Sequence, residues 1–284
     1  MNIQLPNNGA FARFSKWHVG VLKALDEMSD AYIVLLSAVQ KPENSKETET
    51  IFFLAGAIQT EFEEVVTLAT NGYGSGATKL LRSLYERTVT AQYLMKKPEK
   101  IQQFLNFTHI HWHKLLQEAD ENGVGEQLNR ERREEIEANF KTVERDFTEV
   151  VCKSCNKTRL QMSWTKKPVP SQASEIETEL RLLCFPAYLM PTFFLHTTDW
   201  GIKQQIVNHA DGKKELHNAG FEWMYADKAI ALASTLMAYF LFNFNVFFKL
   251  GLDGECEKVR QAVHQISREL LDTDAARESA PKLL

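Results

Sequence analysis

The chain has 284 residues, with 33 Lys+Arg against 37 Asp+Glu and a formal net charge of −4. That length buries a large core, and the near-neutral balance excludes a broad nucleic-acid footprint while leaving room for a local basic groove. Four cysteines are scattered along it and the start, MNIQLPNNGAFARFSKW, has no apolar run of signal-peptide length, so a reducing cytoplasm is the expected compartment.

Apolar residues recur at three- and four-residue spacing through FSKWHVGVLKALDEMSDAYIVLLSAVQ, which predicts a first helix ending before Pro42 and the polar cluster KPENSKETET. A second helix runs over about 47–70 and stops at Asn71-Gly72, a helix C-terminal signal. The glycines of GYGSG follow no strand and Lys79 lies outside P-loop spacing, so they turn the chain into a third helix rather than cradle a phosphate. That third helix contains LLRSLYERTVTAQYL, which puts Arg82, Glu86 and Tyr93 close together on the face that its leucines bury.

Pro98 opens a fourth helix reaching to about residue 120, and NGVGEQ breaks it. A charged helix follows over about 129–151, with mixed signs at helical spacing and a thin apolar stripe of Ile136, Phe140, Val143 and Phe147. Residues 152–174 read as turns around Pro168 and Pro170, followed by short helices near 175–183 and 186–196. A polar loop with Asp211-Gly212 leads to an apolar helix over 221–249, then to a final helix near 255–271 and a frayed tail. No segment alternates with period two over an adequate length. The expected fold is therefore all-α: a single irregular bundle of about seven to nine helices without a sheet, one domain over 1–275 and a tail over 276–284.

One stretch carries no charge for twenty residues, AIALASTLMAYFLFNFNVFF from Ala229 to Phe248, the length that spans a bilayer. It stands alone, contains Ser234, Thr235, Asn243 and Asn245, and has Lys228 and Lys249 at opposite ends, so no charge asymmetry orients it. The expectation is the central helix of a bundle, apolar all round because neighbours surround it, and not a membrane span.

Few motifs carry chemistry. CKSC, with Cys152 and Cys155, has the spacing of half a zinc knuckle, but a second pair is missing and only Cys184 or a histidine such as His196 would complete the shell. Reduced structural thiols are the expectation, with no metal or other cofactor. In HIHWH, His109 and His113 stand one turn apart, yet neither Glu-x-x-His nor His-Glu-x-x-His occurs, so a polar surface is the simpler reading. The Arg-to-His spacing in RFSKWH matches helical ribonuclease toxins, but a chain this rich in both residues produces such a match by chance. Serine nucleophile elbows and dinucleotide fingerprints are absent.

Arg82 and Glu86, at i and i+4, are expected to touch inside the bundle, either as an ion pair that fixes register or as the floor of a polar pocket. The run RSLYERTVTAQYL, the Trp164 of MSWTKK and the aromatic AYLMPTFFLHTT ending at His196 resemble a bacterial family known only as a domain of unknown function, numbered fifty-six seventy-seven. That resemblance covers roughly residues 50–249 and implies a helical domain with no established reaction. The chain departs from the pattern by inserting CKSCNKTR and by placing Pro186 and Pro191 around the aromatic helix.

The leading functional expectation is an intracellular binding or regulatory domain with a polar interior pocket formed by Arg82, Glu86, Tyr93, Trp164 and His196, taking a small or phosphate-bearing ligand. An alternative is a metal-independent, ribonuclease-like enzyme of toxin or defence type, in which His196 is the general acid or base, Arg82 steadies phosphate charge and Glu86 assists. A third is a purely structural protein that docks a partner through the charged stretch from Arg130 to Glu149.

Overall fold

Twenty uncharged residues in a row stay out of water only if other elements cover them on most sides. In a computed structural model, which describes residues 8–39, 45–152, 154–196, 199, 203, 206–208, 212–216 and 223–279, they form most of the helix Trp223–Phe248. The described chain groups into two compact units, Met1–Lys96 with Val169–Leu284, and Lys97–Pro168. Pro42, Lys153, Asp211, Phe221 and the last residues of the expected tail, 280–284, lie outside the described residues.

The first unit contains α1 (Asn8–Trp17), α2 (Val19–Ala38), α3 (Lys46–Thr70), α4 (Gly74–Lys96), α7 (Val169–Ile176), α8 (Thr178–Leu182), α9 (Met190–Leu195), α10 (Trp223–Phe248) and α11 (Asp253–Ser279). Helix α10 packs against α3, α4 and α11, and α11 packs in turn against α2. Ala226, Ala229 and Ala233 bring its backbone close to its neighbours, while Ile230, Leu236, Phe240, Leu241 and Phe244 fill the core. Tyr225–Phe248 is the one described helix long and apolar enough to cross a membrane. It also buries Asp227, Ser234 and Asn245.

Local signals place the ends of these helices. Ser45 caps α3, its Oγ accepting from the Thr48 N–H (3.2 Å). Gly72, at φ 82°, ends α3, with the Tyr73 N–H donating to the Leu68 carbonyl (2.9 Å). The turn from α10 to α11 is held by buried Asn245, whose Oδ1 accepts from the Leu252 N–H and whose Nδ2 donates to Asp253 Oδ1, both at 3.0 Å.

The second unit contains α5 (Ile101–Glu121), α6 (Arg130–Val143) and the strands β1 (Thr148–Cys152) and β2 (Lys157–Leu160). Asn129 caps α6, accepting from the Arg132 N–H at 2.8 Å. The stripe of Ile136, Phe140, Val143 and Phe147 is buried within this unit, so what α6 leaves outward is charge, much of it paired along its own surface as in Arg130–Glu134 and Arg132–Glu135, both 2.6 Å.

Several expectations change. The charged helix ends at Val143, and residues 148–160 form an antiparallel hairpin that pairs Thr148 with Leu160 and turns through Asn156 at φ 51°. A second hairpin joins β3 (Ile206–Asn208) to β4 (Lys214–Leu216) across Gly212 at φ 81°. The fold is thus mostly helical, and among the described residues it has two small hairpins and eleven α-helices where seven to nine helices and no sheet were expected. Strands of three to five residues are too short to display a period of two, and prolines cut the aromatic stretch into separate helical pieces. The final helix runs to Ser279 instead of ending near residue 271.

Asn245→Ala should lower the unfolding free energy by about 1 kcal/mol, because the buried side chain that accepts from the half-buried Leu252 N–H and donates to Asp253 is lost. Urea denaturation checks this, and an unchanged midpoint would show that the turn does not depend on the asparagine.

Candidate functional site

Two prolines shape the region where α4 meets the aromatic segment. Neither Pro186 nor Pro191 has an N–H to donate, and between α8 and α9 the chain makes a wider π turn over Phe185–Leu189, closed by the Met190 N–H bonding to the Phe185 carbonyl. The turn distributes side chains in three directions. Cys184, Ala187 and Pro191 are buried, Phe185, Leu189 and Phe193 are exposed, and Tyr188 and Thr192 meet Arg82 of α4.

Arg82 donates from one terminal nitrogen to Thr192 Oγ1 (2.7 Å) and from the other to the Tyr188 hydroxyl (3.4 Å), and its guanidinium carbon lies 4.6 Å from the Tyr188 ring centroid. Among the described residues it forms no ion pair with Glu86, which corrects the expectation of direct contact. Arg82 and Glu86 are each half-buried. Burial pushes the Glu86 carboxyl above its usual range; the positive charge of Arg82 opposes that shift and the negative charge of Glu61 adds to it. Burial likewise raises the Tyr188 phenol, with Glu86 adding to the rise.

The ion pair lies one residue further along α4. Arg87 Nε meets Glu61 Oε1 of α3 at 2.8 Å, and Ser83 Oγ donates to the same oxygen at 2.5 Å. Glu61 is nine-tenths buried and its second oxygen, Oε2, has no hydrogen-bond partner. Sequence reasoning missed Glu61 and Arg87 because no spacing within one helix reveals a partner on the next.

Beside this polar row lies a crevice of about 390 Å³. Thr78 and Leu81 of α4 form one wall, Pro186, Met190 and Phe194 a second, and Tyr225, Lys228, Ala229, Ala231 and Leu232 of α10 the third. Each wall repeats at helical spacing: 78 and 81; 186, 190 and 194; 225, 228, 229 and 232. The alanines of α10 open the space, since residues of phenylalanine size at 229 and 231 would fill it.

The expected pocket residues are distributed differently. Arg82 and Glu86 lie on the polar row, Tyr93 is buried on α4, and none of them lines the crevice. His196 is exposed where α9 gives way to extended backbone (φ −97°, ψ 147°). Trp164 belongs to the second unit, where its ring edge meets Phe104 at 5.5 Å and its carbonyl accepts from Gln103 Nε2 at 2.9 Å. In that unit His113 stacks on Phe140 at 3.6 Å and His111 meets Phe107 edge-on at 4.5 Å, and burial lowers both imidazoles. Among the described residues no three His, Cys, Asp or Glu side chains gather closely enough to hold a metal ion. Cys152 and Cys155 sit at the β1–β2 turn, where hydrogen bonds from Ser154 and then Cys155 bring the Cys152 thiol down to about 7.

A depression of about 620 Å³ in the second unit, with Asp120, Arg133 and Glu137 in its wall, is wide and charged. Its Arg133 is already forked onto Asp120 at 2.8 and 2.9 Å, so the polar groups there satisfy one another.

The family model for a family of unknown function, DUF5677, matches residues 49–214, more than half of the chain. The chain belongs to that family. No curated protein and no solved structure gives a significant match. The matched stretch of this DUF5677 protein includes Arg82, Glu86, Glu61, Tyr188 and Thr192, and it ends before α10.

Two measurements probe these groups. A carboxyl whose pKa is higher in the folded than in the unfolded chain contributes stability at low pH and loses it as pH rises through the folded value. Glu86→Gln keeps the shape without the charge, so the variant should match the parent in acid and exceed it in stability at neutral pH, as read by urea unfolding. For Cys152, alkylation by iodoacetamide should rise with pH around a midpoint near 7, below the ordinary thiol value of about 8.5. Ser154→Ala should move that midpoint upward, and an unmoved midpoint would show that the serine does not stabilise the thiolate.

Proposed function

We propose that this DUF5677 chain is a ligand-binding domain whose site is the crevice between α4, the segment from Pro186 to Phe194, and α10. The observation that carries the reading is the space itself: about 390 Å³ beside a core otherwise filled by Phe, Leu and Ile, walled by apolar side chains at helical spacing from three elements. Protein interiors pack densely, and apolar clefts of a few hundred cubic ångströms with few polar groups are where small molecules bind. In this reading the polar row is a brace. Arg82 fixes Tyr188 and Thr192, so the intervening Met190 is held against the crevice. The engagement of Arg82 by these two side chains also favours binding over phosphate chemistry, because its guanidinium is already occupied. A regulatory role follows if a ligand that presses on Met190 and Phe194 shifts the segment that Arg82 clamps.

Saturation-transfer NMR with indole, small and uncharged, tests the site on the full-length protein. Transfer should be seen for the parent and should largely vanish for Ala231→Trp, whose half-exposed position lets a large ring enter the crevice without overfilling the core. Equal transfer in both would remove the crevice as the binding site.

A further inference from the structure

A molecule entering the crevice meets a floor and a rim of different chemistry. Leu81 and Ala229 are each only 1% exposed and form the floor, whereas Lys228 is exposed at the edge of the same wall. Its four-carbon stem is able to lie along the apolar surface while the ammonium remains in water. Among the described residues no carboxylate lines the crevice and Lys228 makes no ion pair. The one charge among the described lining residues is therefore positive. A cationic ligand is repelled, and a neutral apolar one gains nothing from the rim. An anion with an apolar tail uses both parts, its tail on Leu81, Met190, Phe194 and Leu232 and its head group at Lys228.

The size of the space narrows the class. A volume of 390 Å³, at roughly 30 Å³ for each non-hydrogen atom as in liquid water, holds about a dozen such atoms. We infer that the crevice takes a medium-chain carboxylate, an acyl tail of about ten carbons with its carboxylate paired to Lys228 at the mouth. This rests on the crevice being the ligand site, and it adds the charge and length of what binds there.

The test is calorimetric titration of the full-length protein with decanoate, decanol and decylammonium, each kept below its micellar range. Decanoate should bind with one-to-one stoichiometry and most tightly, decanol more weakly, and decylammonium least. Lys228→Met should weaken decanoate by about fivefold, the size expected of an ion pair at an exposed rim, and leave decanol unchanged, while Lys228→Arg retains the preference. Added salt should weaken decanoate alone. If decanol matches decanoate, or Lys228→Met leaves decanoate unaffected, the anionic class is wrong even though the crevice still binds. If Ala231→Trp binds all three as the parent does, or the parent binds none, both the ligand class and the crevice reading fall.

Discussion

The rest of the first unit depends on keeping helix α10 out of water. A helix this apolar has little surface to offer to solvent, so α3, α4 and α11 gather around it, and α2 reaches it chiefly through α11. Close approach requires small residues, which α10 provides as alanines, and fixed connections, which Asn245 provides at the turn into α11. The same alanines have a second effect where the neighbour is the proline-broken segment instead of a straight helix. There the walls do not close, and the crevice remains.

The polar row on α4 shows how a helix tolerates charge at an interior face. Arg82 is satisfied by a hydroxyl, a phenol and an aromatic ring; Arg87 and Ser83 share one oxygen of Glu61; Glu86 is left half-buried with a strengthened hold on its proton. A direct Arg82–Glu86 pair would have been the local solution at i and i+4, worth only a few tenths of a kcal/mol at a helix surface, about 0.3–0.5. The structure instead directs Arg82 to a different element, which ties two parts of the fold more than a hundred positions apart in sequence.

What the sequence made legible were features carried by neighbouring residues. The spacing of apolar side chains located the long helices, Asn71-Gly72 located the end of α3, and the stripe from Ile136 to Phe147 identified the buried face of α6. The family was legible as well, through short runs on α4 and the aromatic segment. Hidden were features decided by contact across the fold: the partners of Arg82, the Arg87–Glu61 pair, and a crevice whose three walls come from three separate stretches. The hairpins escaped notice because strands of three to five residues have too little periodicity to read. Trp164, grouped with the pocket through the family resemblance, is a core residue of the second unit.

The π turn at Phe185–Leu189 amounts to one residue more than an ordinary helical turn accommodates. Every side chain beyond it is therefore rotated by about 100° from where an uninterrupted helix would carry it. Loss of a single residue within the turn would leave composition and hydrophobicity almost unchanged, yet it would swing Met190 out of the crevice wall and take Thr192 away from Arg82. Length in this segment is thus under tighter constraint than residue identity. Among relatives, a substitution there would alter the shape of the space, whereas an insertion or deletion would change which face of the segment confronts it.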